Sequence, residues 1–102
     1  PKAPTILDVR RDAVRAGDPH LLPGARPLTE ADLSPEGLAR IAAGLQGPVV
    51  VVCAEGHRLS QGTAAWLRHE GVPAEYLMGG QAAWTASGLP LIDPGKITSR
   101  DA

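Results

Sequence analysis

The sequence predicts an α/β fold, a small open and mainly parallel β-sheet with helices on both faces. Three features carry that prediction. Val49-Val50-Val51-Val52 places four β-branched residues in a row with no polar alternation, the pattern of a central strand covered on both sides. Short apolar runs alternate along the chain with segments whose apolar residues recur at helical spacing, so strands are joined by helical crossovers. Twelve glycines and ten prolines punctuate the chain, which suits short elements and tight turns.

The elements follow in order. Thr5-Ile6-Leu7-Asp8-Val9, after Pro4, reads as a buried strand. Residues 10–16 turn polar and hold a brief helix before the Gly17-Asp18-Pro19 break. Pro23-Gly24 marks a turn, and residues 25–28 add a very short strand. Ser34-Pro35-Glu36 starts a helix: an N-cap hydroxyl, proline at the first position, and an acid near the positive end of the dipole. Leu38, Ile41, Ala42 and Leu45 recur at helical spacing until Gly47-Pro48. After the valine strand and residues 53–58, Ser60 serves as N-cap of a helix through Ala64, Ala65, Leu67 and Arg68, closed by Gly71-Val72-Pro73. Residues 74–77 form a further strand, Gly79-Gly80 a turn, and residues 81–87 a last helix ending at Gly88. Residues 94–102 are polar and read as a loose tail.

At 102 residues the chain is expected to form one domain, 1–102, that hides roughly two-thirds of its unfolded surface. With two Trp, one Tyr and no Phe, its core is built from Ala, Val, Leu and Ile. A net charge of −1 argues against nucleic acid or an anionic membrane as the main partner, since both need a basic surface. No apolar run approaches the ~20 residues that span a bilayer, and no signal-peptide pattern opens the chain. A single cysteine excludes an internal disulfide and a cysteine-rich metal cage. The expected location is the cytoplasm.

The chemistry is carried by residues 53–60, Cys-Ala-Glu-Gly-His-Arg-Leu-Ser, between the central strand and a helix. Open α/β sheets place ligands there, at the carboxyl ends of the strands. A loop curling over a helix N-terminus aims several backbone N–H groups at one point. Those donors, together with Arg58, stabilise a thiolate, a bound anion, or both. Gly56 fits the tight bend because glycine tolerates positive φ. Taken alone, a cysteine after four valines is more often a small buried hydrophobe. The flanking glycine and arginine tip the reading towards a reagent.

The segment resembles the active-site loop of rhodanese-like sulfurtransferases, Cys-x-x-Gly-x-Arg. Leu7-Asp8-Val9-Arg10 is similar to that family's first strand motif, and Pro23-Gly24-Ala25 to its next landmark. Leu77-Met78-Gly79-Gly80-Gln81-Ala82-Ala83-Trp84, followed by Gly88-Leu89-Pro90, resembles its closing strand, double-glycine turn and helix. The Gly56-His57-x-x-Ser60-Gln61 stretch is similar to rhodanese domains associated with chromate resistance. The family normally carries a strand and helix ahead of its Asp-Val-Arg segment. The resemblance therefore implies that this first strand and helix are trimmed, lost, or supplied by a partner. An uncovered sheet edge would invite a dimer or a protein acceptor.

The resemblance implies a mechanism. Cys53 attacks a small-molecule sulfur donor, becomes a persulfide, and passes the outer sulfur to a thiol or cyanide. The N–H groups of Ala54, Glu55, Gly56, His57 and Arg58 hold the sulfane sulfur and its charge, and Arg58 binds the anionic donor. Asp8 and Arg10 support the loop rather than react. Two features depart from the family pattern: Leu59 stands where Ser or Thr usually follows the arginine, and Glu55 puts a carboxylate where the substrate is usually an anion, which counts against thiosulfate.

The remaining residues read plainly. No cofactor is expected, because there is no glycine-rich phosphate fingerprint, and no metal, because His20, His57 and His69 have no ligand spacing. His20 and His69 read as surface residues; His57 either tunes Cys53, touches the acceptor, or is simply exposed. Trp66 and Trp84 read as core or rim packing. Arg10, Arg11 and Arg15 read as a solvated basic face. Two other functions stand against sulfur transfer. One is a non-catalytic rhodanese-like binding or regulatory domain. The other is a cysteine-dependent phosphatase or arsenate reductase, whose loops resemble Cys-(x)5-Arg where only four residues separate Cys53 from Arg58 here.

Overall fold

The computed structural model describes residues 4–92; the polar 94–102 segment lies outside the described residues. Four strands, β1 (Thr5–Asp8), β2 (Ala25–Pro27), β3 (Val49–Val52) and β4 (Ala74–Tyr76), form one sheet in the order β2-β1-β3-β4. All three pairings are parallel, as the alternation of strands and helices predicts.

The valine strand is central, and its alternation divides the core. Val49 and Val51 point to one face, where Leu7, Ala74, Ala64, Leu67 and Ala42 join them. That face is covered by helices α2 (Pro35–Ala43) and α3 (Arg58–His69). Val52 points to the other face with Leu21, Leu22 and Ala25, and Ile6, Val50 and Trp84 pack around them. Trp84 belongs to helix α4 (Gly80–Ala86), and its indole N–H donates to the Pro90 carbonyl at 2.7 Å. An isolated antiparallel bridge between Leu21 and Ile92 closes this side. Helix α1 (Asp12–Gly17) buries no residue and rides at the end of the sheet.

Helix α2 starts as its sequence dictates, with Pro35 in first position and the Ser34 hydroxyl accepting from the Gly37 N–H at 3.0 Å. It stops at Gly44 rather than running to Gly47-Pro48, so Leu45 packs on the core from beyond the helix. A single 3-10 turn, Glu30–Leu33, precedes it where no element was expected. The turn is held by a reciprocal pair: the Thr29 hydroxyl accepts from the Asp32 N–H, and the Asp32 carboxylate accepts from the Thr29 N–H at 2.8 Å.

The register decides where function sits. Asp8 lies opposite Val52, so residues leaving β1 and β3 emerge side by side, and the Val9 N–H donates to the Val52 carbonyl at 2.8 Å. The first turn of α4 then closes over the β3 exit: Gln81 N–H donates to the Cys53 carbonyl at 2.9 Å, and Ala82 N–H to the Ala54 carbonyl at 2.8 Å. Among the described residues the open edges are β2 and β4, each three residues long. Shortness and Pro27 blunt the first, and an Arg68 guanidinium N–H donating to the Ala74 carbonyl at 2.8 Å engages the second.

Candidate active site

Cys53 stands one residue past the central strand, at the bottom of a cavity of about 220 Å³. Only 6% of it is exposed. The Gly56 N–H donates to its sulfur at 3.2 Å, and the thiol donates to the Ser60 hydroxyl oxygen at 3.1 Å. Burial pushes the thiol pKa up. On ionisation the Ser60 hydroxyl, which otherwise points to the His57 carbonyl at 3.4 Å, turns to donate to the sulfur; with the backbone N–H groups of Ser60, His57 and Glu55 it more than offsets burial, and the thiol ionises below the ordinary cysteine range. Cys53 therefore combines a cysteine's usual burial with a reagent's acidity.

Ser60 was expected to cap α3 from outside, and the structure corrects this. The helix begins at Arg58 with His57 at the N-cap, because the left-handed bend at Gly56 completes the turn before that point. Ser60 thus lies in the first turn, fully buried, with its hydroxyl against the sulfur. Leu59 takes the second helical position and lines the cavity. The Gln61 side-chain amide N–H donates to the Gly56 carbonyl at 3.0 Å and holds the bend in place.

The double-glycine turn has a defined task. Gly56 (φ +74°) lies against the backbone of residues 77–80, where a Cβ would stand 2.6 Å from the Gly79 nitrogen. Gly80 (φ +61°) lies reciprocally against the Cys53 loop, where a Cβ would stand 2.6 Å from the Gly56 nitrogen. The two segments pack backbone to backbone, and a side chain at either glycine would wedge them apart.

The five expected loop residues divide by position. Gly56 is buried and Ala54 half-buried, whereas Glu55, His57 and Arg58 are exposed at the cavity rim. His57 Nε2 lies 3.6 Å from a Glu55 carboxylate oxygen, so the two exposed side chains share one side of the rim. Arg58 forms no ion pair among the described residues. His20 and His69 are exposed as expected. Among the described residues no group of three His, Cys, Asp or Glu side chains could hold a metal.

The basic cluster is also corrected. Arg10 is 3% exposed and bound to Asp8, with its Nε 3.0 Å and one terminal nitrogen 2.9 Å from the carboxylate. Its remaining donors go to the Asp18 and His20 carbonyls at 2.8 and 2.9 Å. Arg15 is half-buried and donates to the Leu28 and Arg10 carbonyls. Only Arg11 fits the solvated reading, because a carboxylate two residues before Arg10 draws that side chain inward. Asp8 and Arg10 tie the end of β1 to residues 18–20, where the Gln81 amide N–H also meets the His20 carbonyl at 2.8 Å, and Arg10 itself lines the cavity. Arg11 and Val14 line the cavity, yet nothing in their own sequence neighbourhood marks them. The strand register brings them there.

A family model for the rhodanese-like domain matches residues 1–87. The chain is similar to the rhodanese-like domain of an Anabaena sp. protein, with 30% identity over 88% of this chain and 99% of that one, at a TM-score of 0.70. It is also similar to a rhodanese-like domain protein from Staphylococcus aureus, with 25% identity over 93% of this chain and 80% of that one, at a TM-score of 0.65. A thiosulfate sulfurtransferase from Pseudomonas aeruginosa aligns with 87% of this chain at 28% identity and a TM-score of 0.67, but the match spans only 16% of that chain. Among curated proteins the chain has no match. None of these relatives bears on the resemblance to chromate-associated domains. No helix among the described residues is long and apolar enough to cross a membrane. The family match across most of the chain, joined to a shared fold in relatives up to 30% identical, means that this chain belongs to the rhodanese-like domain family.

Proposed function

We infer that this domain is a sulfurtransferase that carries sulfane sulfur on Cys53. The observation that supports the reading best is the environment of the sulfur. Cys53 is an acidified thiol at the foot of an open cavity, facing the Gly56 N–H and the Ser60 hydroxyl, with Arg58 at the rim in no ion pair among the described residues. In the first half-reaction the thiolate attacks the sulfane sulfur of a donor. The bond between that sulfur and the donor breaks, its electron pair leaves with the donor, and Cys53 holds a persulfide. In the second, a thiolate or cyanide attacks the outer sulfur, and the S–S bond breaks to return the Cys53 thiolate. The loop N–H groups from Ala54 to Arg58 hold the negative outer sulfur, and Arg58 draws in the anionic donor.

Binding without catalysis is the weaker reading, because a domain that only docks needs no thiol held below its ordinary pKa. A lone thiol without a disulfide partner fits a reducing, cytoplasmic setting. A single domain over 1–102, with a partner at an open edge, belongs to the same reading. The test is intact mass after exposure to thiosulfate, organic persulfides and thiosulfonates. An added sulfur on the wild type, absent from Cys53→Ala, is the expected result. No added sulfur from any donor would overturn the assignment.

A further inference from the structure

A further hollow of about 380 Å³ lies between α1 and α4 and shares only Arg10, Val14 and Ala54 with the Cys53 cavity. Val14, Ala82 and Ala86 give it aliphatic walls, and its polar groups are acceptors. Asp18, the C-cap residue of α1, is exposed, and the His20 ring engages one of its carboxylate oxygens, with Nδ1 3.2 Å from Oδ1. Thr85 adds a hydroxyl from the last turn of α4, a turn that carries no basic residue. Gln81 is 4% exposed, its amide N–H is spent on the His20 carbonyl, and its Oε1 has no partner among the described residues. A buried acceptor without a donor is costly, and the broad terminal torsion of glutamine lets Oε1 turn to meet one. Arg10, the one cation in the wall among the described residues, has each guanidinium nitrogen engaged by Asp8 or by the Asp18 and His20 carbonyls.

The charges point the same way. Arg10 and Arg15 are paired with Asp8 and Asp12, which leaves Asp18 unmatched when His20 is neutral. Across Ala54, Arg11 and Arg58 stand against Glu55 and the Cys53 thiolate, so with His57 neutral the neighbouring cavity adds no net charge. The C-terminal ends of α1 and α4 contribute partial negative charge of their own.

We propose that this hollow binds a primary ammonium group on an aliphatic stem. Asp18, Gln81 Oε1 and Thr85 accept from the ammonium, and Val14, Ala82 and Ala86 lie along the stem. An ammonium carries three donors and no acceptor, which matches three acceptors beside a cation whose nitrogens are already engaged. The aliphatic walls, and a volume far above that of a single ion, favour an organic cation over a metal ion. A lysine side chain of a partner polypeptide and a free alkylamine share this chemistry. The inference stands apart from sulfur transfer and depends on no step of it.

The probes are n-butylammonium, its neutral counterpart 1-butanol, and the capped tripeptide Gly-Lys-Gly. Each is titrated into the full chain and followed by NMR shifts of the backbone amides. n-Butylammonium should give saturable shifts centred on Val14, Asp18, Ala82 and Thr85. 1-Butanol should bind about threefold more weakly, and Asp18→Asn should weaken the cation by about two- to fivefold, the range of a partly exposed ion pair, without changing butanol. Added salt should weaken n-butylammonium and leave butanol alone, a wild-type measurement that decides the matter if Asp18→Asn does not fold. A tripeptide that binds more tightly than n-butylammonium assigns the hollow to the side chain of a polypeptide partner. One that binds no more tightly assigns it to a free amine, and either result supports the ammonium site. Equal affinity for n-butylammonium and butanol, shifts centred elsewhere, or no saturation at tens of millimolar cation overturns it.

Discussion

Replacing Ser60 by Ala isolates the group that acidifies Cys53. The Ser60 hydroxyl oxygen lies 3.1 Å from the sulfur and is shut off from water, so Ala leaves no solvent molecule to take its place. Burial, which opposes the thiolate, then acts with one fewer hydrogen bond against it. A hydrogen bond to a charged group contributes about 1.5–3 kcal/mol, which is a factor of roughly 10 to 150 in the thiolate fraction at a pH where both proteins are mostly protonated. A more basic thiolate is also a better nucleophile, with a Brønsted coefficient of about 0.4–0.5, which returns about the square root of that factor. The net expectation is alkylation by iodoacetamide slower in Ser60→Ala by about 3- to 12-fold at low pH, and faster by a similar factor where both are fully ionised. The two rate profiles must cross. Stability follows the same linkage. The folded pKa of Cys53 lies below that of a free cysteine, so its ionisation stabilises the fold above the unfolded pKa, near 8.5, and this contribution is lost as pH falls through the folded value. Wild type should therefore gain stability over Cys53→Ala as pH rises through that window, and Ser60→Ala should gain less. Parallel alkylation profiles that never cross would refute the role given to Ser60.

The other expectations are more direct. Arg58→Ala should raise KM for anionic donors more than it lowers kcat, and Arg58→Lys should recover part of the loss because the charge survives without the planar fork; an unchanged KM for every anionic donor would remove Arg58 from donor capture. Gly80→Ala should lower the denaturant midpoint by an amount equal to about 2–4 kcal/mol, from left-handed backbone strain and overpacking against the Cys53 loop, and should slow sulfur transfer; a neutral effect on both would mean that the two loops do not pack as described. Asp8→Asn should destabilise the domain by about 3–5 kcal/mol in the same assay, since it strips the carboxylate from buried Arg10; a loss below about 1 kcal/mol would show that the Asp18 and His20 carbonyls suffice for the guanidinium.

Much of this molecule was legible in its sequence because the signals are local. Four consecutive valines can only be satisfied between two apolar layers. Ser34-Pro35 builds its own helix start, and the Cys53 to Arg58 loop carries its glycine and its arginine at fixed spacing. The α/β class follows from such pieces, whereas the strand order comes from the structure. The 3-10 turn leaves only a weak local signal in the Thr29 and Asp32 spacing, because its cap uses Asp where Glu or Gln is usual. What tertiary structure alone decided is who meets whom across the chain. Arg10 and Arg15 read as solvated until a buried carboxylate drew them in. The hydroxyl of Ser60 read as a cap until the early start of α3 turned it towards the sulfur. Gly79-Gly80 read as a turn, and only the packing of Gly80 on the Cys53 loop and of Gly79 on Ala83 shows why side chains are excluded there. Arg11 and Val14 joined the cavity because β1 and β3 end in register, a relation between residues some forty positions apart. Local sequence sets backbone preference and hydrophobic period, whereas the contacts that acidify Cys53 and shape its cavity depend on where distant segments land.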